Sequence, residues 1–319
     1  MNFKAILIVA GEPNSIFLEI FFKSIKKTYK KPIILITSKK LLIKQMSLLN
    51  FNYKIKSIDV NNLRLLQLDN RSINIINVDY NFKKAFEKIS SKSNKYIHNC
   101  FDMALKILKK NNNIGLLNGP ISKRFFLNGA YLGITEYLAN KTSTNNVTML
   151  IYNKKLSVSP ITTHLPLKDV HKNITKQKII NQVIQVNNFY KKVLKKNPKI
   201  AITGLNPHCE SNYKSSEEDS TIIPAIKILC NKKYLVKGPF PADTIFMKEN
   251  LKKYDVIIGM YHDQVLTPLK TLYGFNAINI TLGLPFIRVS PDHGPNTSML
   301  GKNKSDPTSL IEALKFLDK

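Results

Sequence analysis

The sequence is short of several features that would have settled its class at once. No apolar run approaches the roughly 20 residues that a membrane-spanning helix needs, so no membrane partner is expected. Cysteine is sparse: Cys100, Cys209 and Cys230 are widely spaced, which argues against a disulfide framework and for a cytoplasmic protein. Acidic residues are few, 21 Asp and Glu against 49 Lys and Arg, for a formal net charge of +28. Such a balance ordinarily points to nucleic acid or an anionic surface. Here arginine is scarce, and the lysines are spread among Asn and Ile with no aromatic clustering, so the expectation is no nucleic acid and a solvated basic surface. That surface would still draw in phosphorylated ligands. Also missing are a Gly-x-Gly-x-x-Gly fingerprint, a loop with Walker A glycine spacing, an internal repeat and a low-complexity linker. Any two-part architecture therefore has the chain crossing between its halves.

What is present is an ordinary globular composition, 43% hydrophobic and 22% charged, over 319 residues. Residues 1–10 could pass for a short signal peptide, but Gly11-Glu12-Pro13 follows with no small-residue cleavage pattern, so residues 3–10 read as a first strand. A helix is expected over 14–27, a strand over 32–38, and a helix through Leu49 with Ser38 as its N-cap. Shorter strands follow at 53–60 and 73–78, then a helix at 92–110 with Ile97, Phe101, Ala104, Leu105 and Leu108 at helical spacing. Further strands are read at 114–118, 147–152 and 156–162, with a helix at 135–139 between the first two and a long one at 176–195. Glu217-Glu218-Asp219 places acids at the start of a helix running to Cys230, where they favour its dipole. The remainder alternates through 234–237, 244–247, 256–260, 265–272 and 276–282 to a last helix at 307–317. This βα alternation predicts an α/β fold with a largely parallel sheet.

Three strand-like runs end in histidine. Residues 156–163 lead into His164, residues 200–207 into His208, and Val256-Ile257-Ile258-Gly259-Met260-Tyr261 into His262. In open α/β sheets ligands gather at the carboxyl ends of strands, and three imidazoles can hold a metal with positions open for water or substrate. A lone histidine is more often an ordinary hydrogen-bonded residue, as His98 and His171 are taken to be, but here that reading must hold three times over. Asp263 and Asp169 are candidate carboxylates behind the ligands or facing substrate. Cys209, beside His208, is expected to point away. Gly119-Pro120-Ile121-Ser122-Lys123 puts a turn, a hydroxyl and a lysine at a strand-to-helix junction suited to an anion. Lys270, Asn279 and Arg288 follow His262; Arg288 suggests carboxylate or phosphate binding, while Lys270 reads equally well as a solvated helix lysine.

Gly204-Leu205-Asn206-Pro207-His208, Pro241-Ala242-Asp243-Thr244, Met260-Tyr261-His262-Asp263-Gln264 and the run Asn279 to Arg288 resemble the 4-hydroxythreonine-4-phosphate dehydrogenase family of pyridoxal phosphate biosynthesis. Thr162-Thr163-His164-Leu165-Pro166-Leu167 and Asp292-His293-Gly294 match too, so the resemblance covers nearly the whole chain. It implies an isocitrate/isopropylmalate-dehydrogenase-like fold of two α/β subdomains with the active site in the cleft between them. It implies a homodimer with shared active sites, and a divalent metal (Zn, Mg or Co) on His164, His208 and His262. The family oxidises 4-phosphooxy-L-threonine with NAD or NADP, and the product decarboxylates to 3-amino-2-oxopropyl phosphate. Thr135, Lys270, Asn279 and Arg288 fall on its substrate-binding positions, and Asp243 is the candidate for proton transfer.

Three departures stand out. Ile134 replaces the histidine of the family's Gly-His-Thr-Glu motif and cannot hydrogen-bond substrate; Ser15 and Phe17 replace glycines; and Cys209-Glu210-Ser211-Asn212 lacks the family's glycines. They keep open a related dehydrogenase of 4-phospho-threonate or 4-phospho-erythronate, and, from another class, a basic binding protein that kept the fold and lost turnover.

Overall fold

The computed structural model describes residues 3–111, 113–131, 133–210, 216–274 and 276–319. The chain divides into two compact units, one of residues 1–138 and 285–319, the other of residues 139–284. In chain order the first unit contains β1 (Ala5–Val9), α1 (Phe17–Ser24), β2 (Ile33–Thr37), α2 (Lys39–Leu48), β3 (Ile55–Ser57), β4 (Ile73–Asn77), α3 (Asn94–Lys110) and β5 (Ile114–Asn118). Helix α4 (Ile134–Lys141) runs across the boundary. The second unit holds β6 (Thr148–Tyr152), β7 (Ser157–Thr162), α5 (Leu167–Asn173), α6 (Lys176–Phe189), β8 (Ile200–Thr203), α7 (Ile223–Asn231) and β9 (Val236–Phe240). It continues with α8 (Ala242–Ile245), α9 (Lys248–Leu251), β10 (Val256–Tyr261), α10 (His262–Tyr273) and β11 (Ile278–Leu282). Strand β12 (Arg288–Pro291) and α11 (Thr308–Leu317) belong to the first unit again.

In the first unit the strand order is β3-β4-β2-β1-β5-β12, parallel throughout. Parallel strands covered on both faces need no polar alternation, which is why Ala5-Ile6-Leu7-Ile8-Val9 is an unbroken apolar run with every residue fully buried. Helix α3 packs on β1 and β2, and α11 on β5 and β12. Each Ile, Leu or Phe buried between them stabilises the unit by roughly 1.5–3 kcal/mol. The chain leaves β1 toward β2 on one side and returns to β5 on the other, so the loops after β1 and β5 flank a switch of direction. In many open sheets such a place is a binding crevice. Here it is packed shut: Glu12 N donates to Pro120 O, and Glu12, Asn14, Ser15 and Phe17 are all 3% exposed or less. Helix α1 accordingly starts at Phe17, three residues later than its apolar spacing suggests, because residues 11–15 are used in that turn.

In the second unit the order is β11-β6-β7-β10-β8-β9. β6 is antiparallel to both β11 and β7, and the other pairs are parallel. The β6–β7 link, residues 153–156, is too short for a helical crossover, which forces the hairpin. The core joins Ile151, Val158, Ala201 and Ile257 of the strands to Val265, Leu266 and Leu269 of α10. β10 lies between β7 and β8, and this places the three histidine-bearing strand ends side by side.

Candidate active site

His164 follows β7, His262 is the first residue of α10 directly after β10, and His208 sits in a tight turn, Pro207–Cys209, beyond β8. The register aligns Tyr261 with Thr162, so His164 and His262 emerge at the same level, with imidazole centroids 5.9 Å apart. His262 Nδ1 lies 2.6 Å from Asp263 Oδ1. A carboxylate can only accept from it, so Nδ1 carries the proton and Nε2 keeps its lone pair, the orientation usual in imidazoles that bind a metal. His208 is exposed and has a left-handed backbone at φ 58°. Among the described residues no three His, Cys, Asp or Glu side chains gather closely enough to hold a metal ion. The structure thus brings together two of the three expected ligands. In the loop beyond His208, Ser211 and Asn212 lie outside the described residues.

The strand ends are tied to each other by Gln264 and Thr162, whose hydrogen-bond partners the sequence does not announce. Gln264 Oε1 accepts from Met260 N at 2.7 Å and Thr203 Oγ1 at 2.8 Å, while its Nε2 donates to Gly204 O at 2.8 Å. One side chain thereby pins the start of α10 to the end of β8. Thr162 Oγ1 donates to Met260 O, joining β7 to β10. Behind the His208 turn, the buried Glu218 carboxylate accepts from Leu205 N, Asn206 N and Asn206 Nδ2 at 2.7–2.9 Å. Burial alone would raise that carboxyl, and the bonds from Asn206 and Leu205 outweigh it, so it sits below its ordinary range.

Asp243, in the first turn of α8, is exposed and shares an open depression of about 590 Å³ with Asp263, Tyr261 and Gln264. Asp169 lies in the first turn of α5, where its backbone N donates to Pro166 O. Lys270 is an exposed residue of the last turn of α10. Asn279, on β11, is half-buried, and its Oδ1 is buried with no hydrogen-bond partner among the described residues. In the first unit, Thr135 lies half-buried in the first turn of α4 beside Ile134. Arg288 opens β12 at 1% exposure and donates from Nε to Asn118 Oδ1 at 2.7 Å. Burial pulls its pKa down to about 10, with the Glu136 carboxylate opposing that fall, so it stays charged at neutral pH. The hydroxyl of Ser122, in the expected anion turn, instead caps a helical turn by accepting from Phe125 N. His293 bonds Gly294 O through Nδ1, and its buried Nε2 has no partner among the described residues; burial lowers its pKa. His98 pairs with the Tyr137 hydroxyl at 3.0 Å, the ordinary role expected of it.

A family model described as pyridoxal phosphate biosynthetic protein PdxA matches residues 28–317. A 4-hydroxythreonine-4-phosphate dehydrogenase of Sulfurihydrogenibium sp. (strain YO3AOP1) is 39% identical over 315 residues, 97% of this chain and 96% of that one. The solved 4-hydroxythreonine-4-phosphate dehydrogenase of Klebsiella pneumoniae is similar with a TM-score of 0.84 and 28% identity, over 98% of both chains. An isocitrate dehydrogenase of Methylococcus capsulatus, 10% identical with a TM-score of 0.50 over 97% of this chain and 83% of that one, shares the fold alone. The expected isocitrate-dehydrogenase-like α/β class is borne out.

Proposed function

The chain belongs to the pyridoxal phosphate biosynthetic protein PdxA family, and from that premise we propose that it is a metal-dependent dehydrogenase of 4-phosphooxy-L-threonine using NAD or NADP. The observation that carries the site is the His164–His262 pair at adjacent strand ends, with Asp263 orienting His262. NAD or NADP, when bound, would supply the acceptor for the hydride that leaves the carbinol carbon; with loss of the hydroxyl proton the substrate becomes a β-keto acid. The bond to the carboxylate then breaks, its electron pair goes into the enol of the ketone, carbon dioxide departs, and protonation at carbon yields 3-amino-2-oxopropyl phosphate.

The donor set suits a divalent ion: neutral imidazoles with a carboxylate behind one of them, a combination that favours Zn or Co over Mg. His164, His208 and His262 would hold it, and when bound it supplies a positive charge against the oxygen that becomes negative as hydride leaves. The remaining tasks fall to the chain itself. Lys270 and Arg288 take the substrate's anionic groups, and Thr135 donates a hydroxyl hydrogen bond. Asn279 Oδ1, a buried acceptor in want of a donor, suits the ammonium or hydroxyl. Asp243, exposed in the depression beside Asp263, moves the proton. The reading takes a cytoplasmic homodimer with shared sites; among the described residues no helix is long and apolar enough to cross a membrane.

Ile134 favours one second reading, a dehydrogenase of 4-phospho-threonate or 4-phospho-erythronate, because an aliphatic side chain there removes a polar contact. Reduced-cofactor formation by metal-loaded protein decides between them, comparing 4-phosphooxy-L-threonine with 4-phospho-threonate and 4-phospho-erythronate, each with NAD and NADP. Turnover of the amino acid that a chelator abolishes is the expected result. Turnover of a sugar acid alone moves the protein to the second reading. Full activity in a His164→Ala/His208→Ala/His262→Ala variant sinks the metal site.

A further inference from the structure

Of the four arginines, Arg64, Arg71 and Arg124 are exposed and Arg288 alone is buried. A buried guanidinium must be held by partners, and these partners fix where it points. Arg288 on β12 stands opposite Leu116 on β5, and Leu116 and Asn118 share a face of that strand because side chains alternate. The Arg288 side chain leans along the sheet and meets Asn118, Nε to Oδ1 at 2.7 Å. The amide's orientation is settled independently. Its Nδ2 donates to Gly119 O at 2.7 Å, which leaves Oδ1 as the atom facing the guanidinium.

The Gly119 peptide is itself clamped. A side-chain carbon there would run into the carbonyl oxygen of Ala10 and come within 2.7 Å of the Phe17 ring. Phe17 is 1% exposed, and its ring fills the space against the Gly119 backbone. From Phe17 to Gly119 to Asn118 to Arg288 each group is held by the one before, all inside the first unit. Glu136, in the first turn of α4, provides the compensating negative charge.

We propose that Asn118, backed by Phe17 through Gly119, is a positioning residue for Arg288: it fixes the guanidinium in the plane that the substrate's anionic group meets. The proposal rests on the reading that Arg288 binds substrate, and the experiment separates the two. Steady-state kinetics with 4-phosphooxy-L-threonine are measured for Arg288→Ala, Asn118→Ala, Asn118→Asp and the Arg288→Ala/Asn118→Ala double variant, with circular dichroism to verify folding.

Asn118→Ala is expected to raise the substrate KM about tenfold, the loss of one charge-assisted hydrogen bond, with kcat and the cofactor KM changed less than about twofold. In the Arg288→Ala background the same change should add less than about twofold, because its only route is through Arg288. Asn118→Asp keeps an acceptor for Nε and should restore KM to within about threefold of the wild type. If Arg288→Ala leaves KM unaltered, Arg288 is not a substrate ligand, and both the reading and the proposal fall. If Arg288→Ala raises KM while Asn118→Ala has no effect, adds its full factor to the double variant, or matches Asn118→Asp, the positioning role alone is overturned.

Discussion

Glu12 and Glu218 each serve a strand-end loop, after β1 and after β8, and are buried to 2% and 1% exposure. They are held in opposite ways. For Glu12, burial outweighs the hydrogen bonds from Asn14 N and the Ser93 hydroxyl, and its pKa is raised. For Glu218, the hydrogen bonds outweigh burial, and its pKa is lowered. A lowered carboxyl stabilises the fold above its unfolded-state value near 4.5, and that contribution fades as pH falls through the lowered value. A raised carboxyl does the reverse: its ionised form burdens the fold above the raised value, and the burden lifts as pH falls toward 4.5. Glu218→Gln should therefore cost about 1–3 kcal/mol at pH 7, since a charge-assisted acceptor is lost, and progressively less below pH 4.5. Glu12→Gln should be neutral or stabilising at pH 7, with any gain shrinking as pH falls to 4.5. Urea denaturation at pH 7 and pH 4 measures both, and a larger loss for Glu12→Gln at pH 7 would contradict the assignment.

Between elements, Gln264 ties one strand end to the next. It joins the start of α10 to the end of β8 through two hydrogen bonds and to β10 through a third, all inside the second unit. Gln264→Leu leaves Met260 N, Thr203 Oγ1 and Gly204 O without that partner, and a loss of about 2 kcal/mol in chemical denaturation is expected. The same bonds register His262 against the loop that bears His208, so at the metal site proposed above the affinity for a divalent ion followed by titration calorimetry should weaken about tenfold. Unaltered affinity in a folded variant would show that the strand ends need no such tie. The positions of His164 and His262 were legible in the sequence because each follows a strand-like run, a local pattern that survives folding; His208 lies farther out, in the Pro207–Cys209 turn beyond β8. Ser38 was legible too, and its hydroxyl does cap α2 by accepting from Leu41 N. The partners were not. Glu218 reads as a dipole-favouring acid at a helix start, yet its carboxylate turns back onto Leu205 and Asn206. Strand β12 is only four residues long and is bounded by no periodic signal. The bond from Arg288 to Asn118 spans 170 positions, and neither residue's neighbours announce the other. The strand expected over 53–60 contracts to Ile55–Ser57, since β3 lies at the edge of its sheet with only β4 to pair with.

Across the molecule, the charge of +28 has two consequences of opposite sign in salt. Like charges spread over the surface repel one another and oppose the compact state, and the same field draws a phosphorylated substrate inward. Both effects are screened together, because the Debye length shrinks from about 30 Å at 0.01 M to about 8 Å at physiological ionic strength. Raising sodium chloride from about 0.01 M to about 0.3 M should therefore raise Tm by a few degrees while lowering kcat/KM for the phosphorylated substrate by roughly three- to tenfold. The turnover number, which is set after the encounter, should stay nearly constant. A neutral osmolyte at matched osmolality serves as the control, since it stabilises without screening and should leave kcat/KM unaltered. If kcat/KM holds steady across that salt range, the lysines are a solvated surface with no part in substrate capture. The anionic group would then be recognised entirely by short-range contacts such as Arg288.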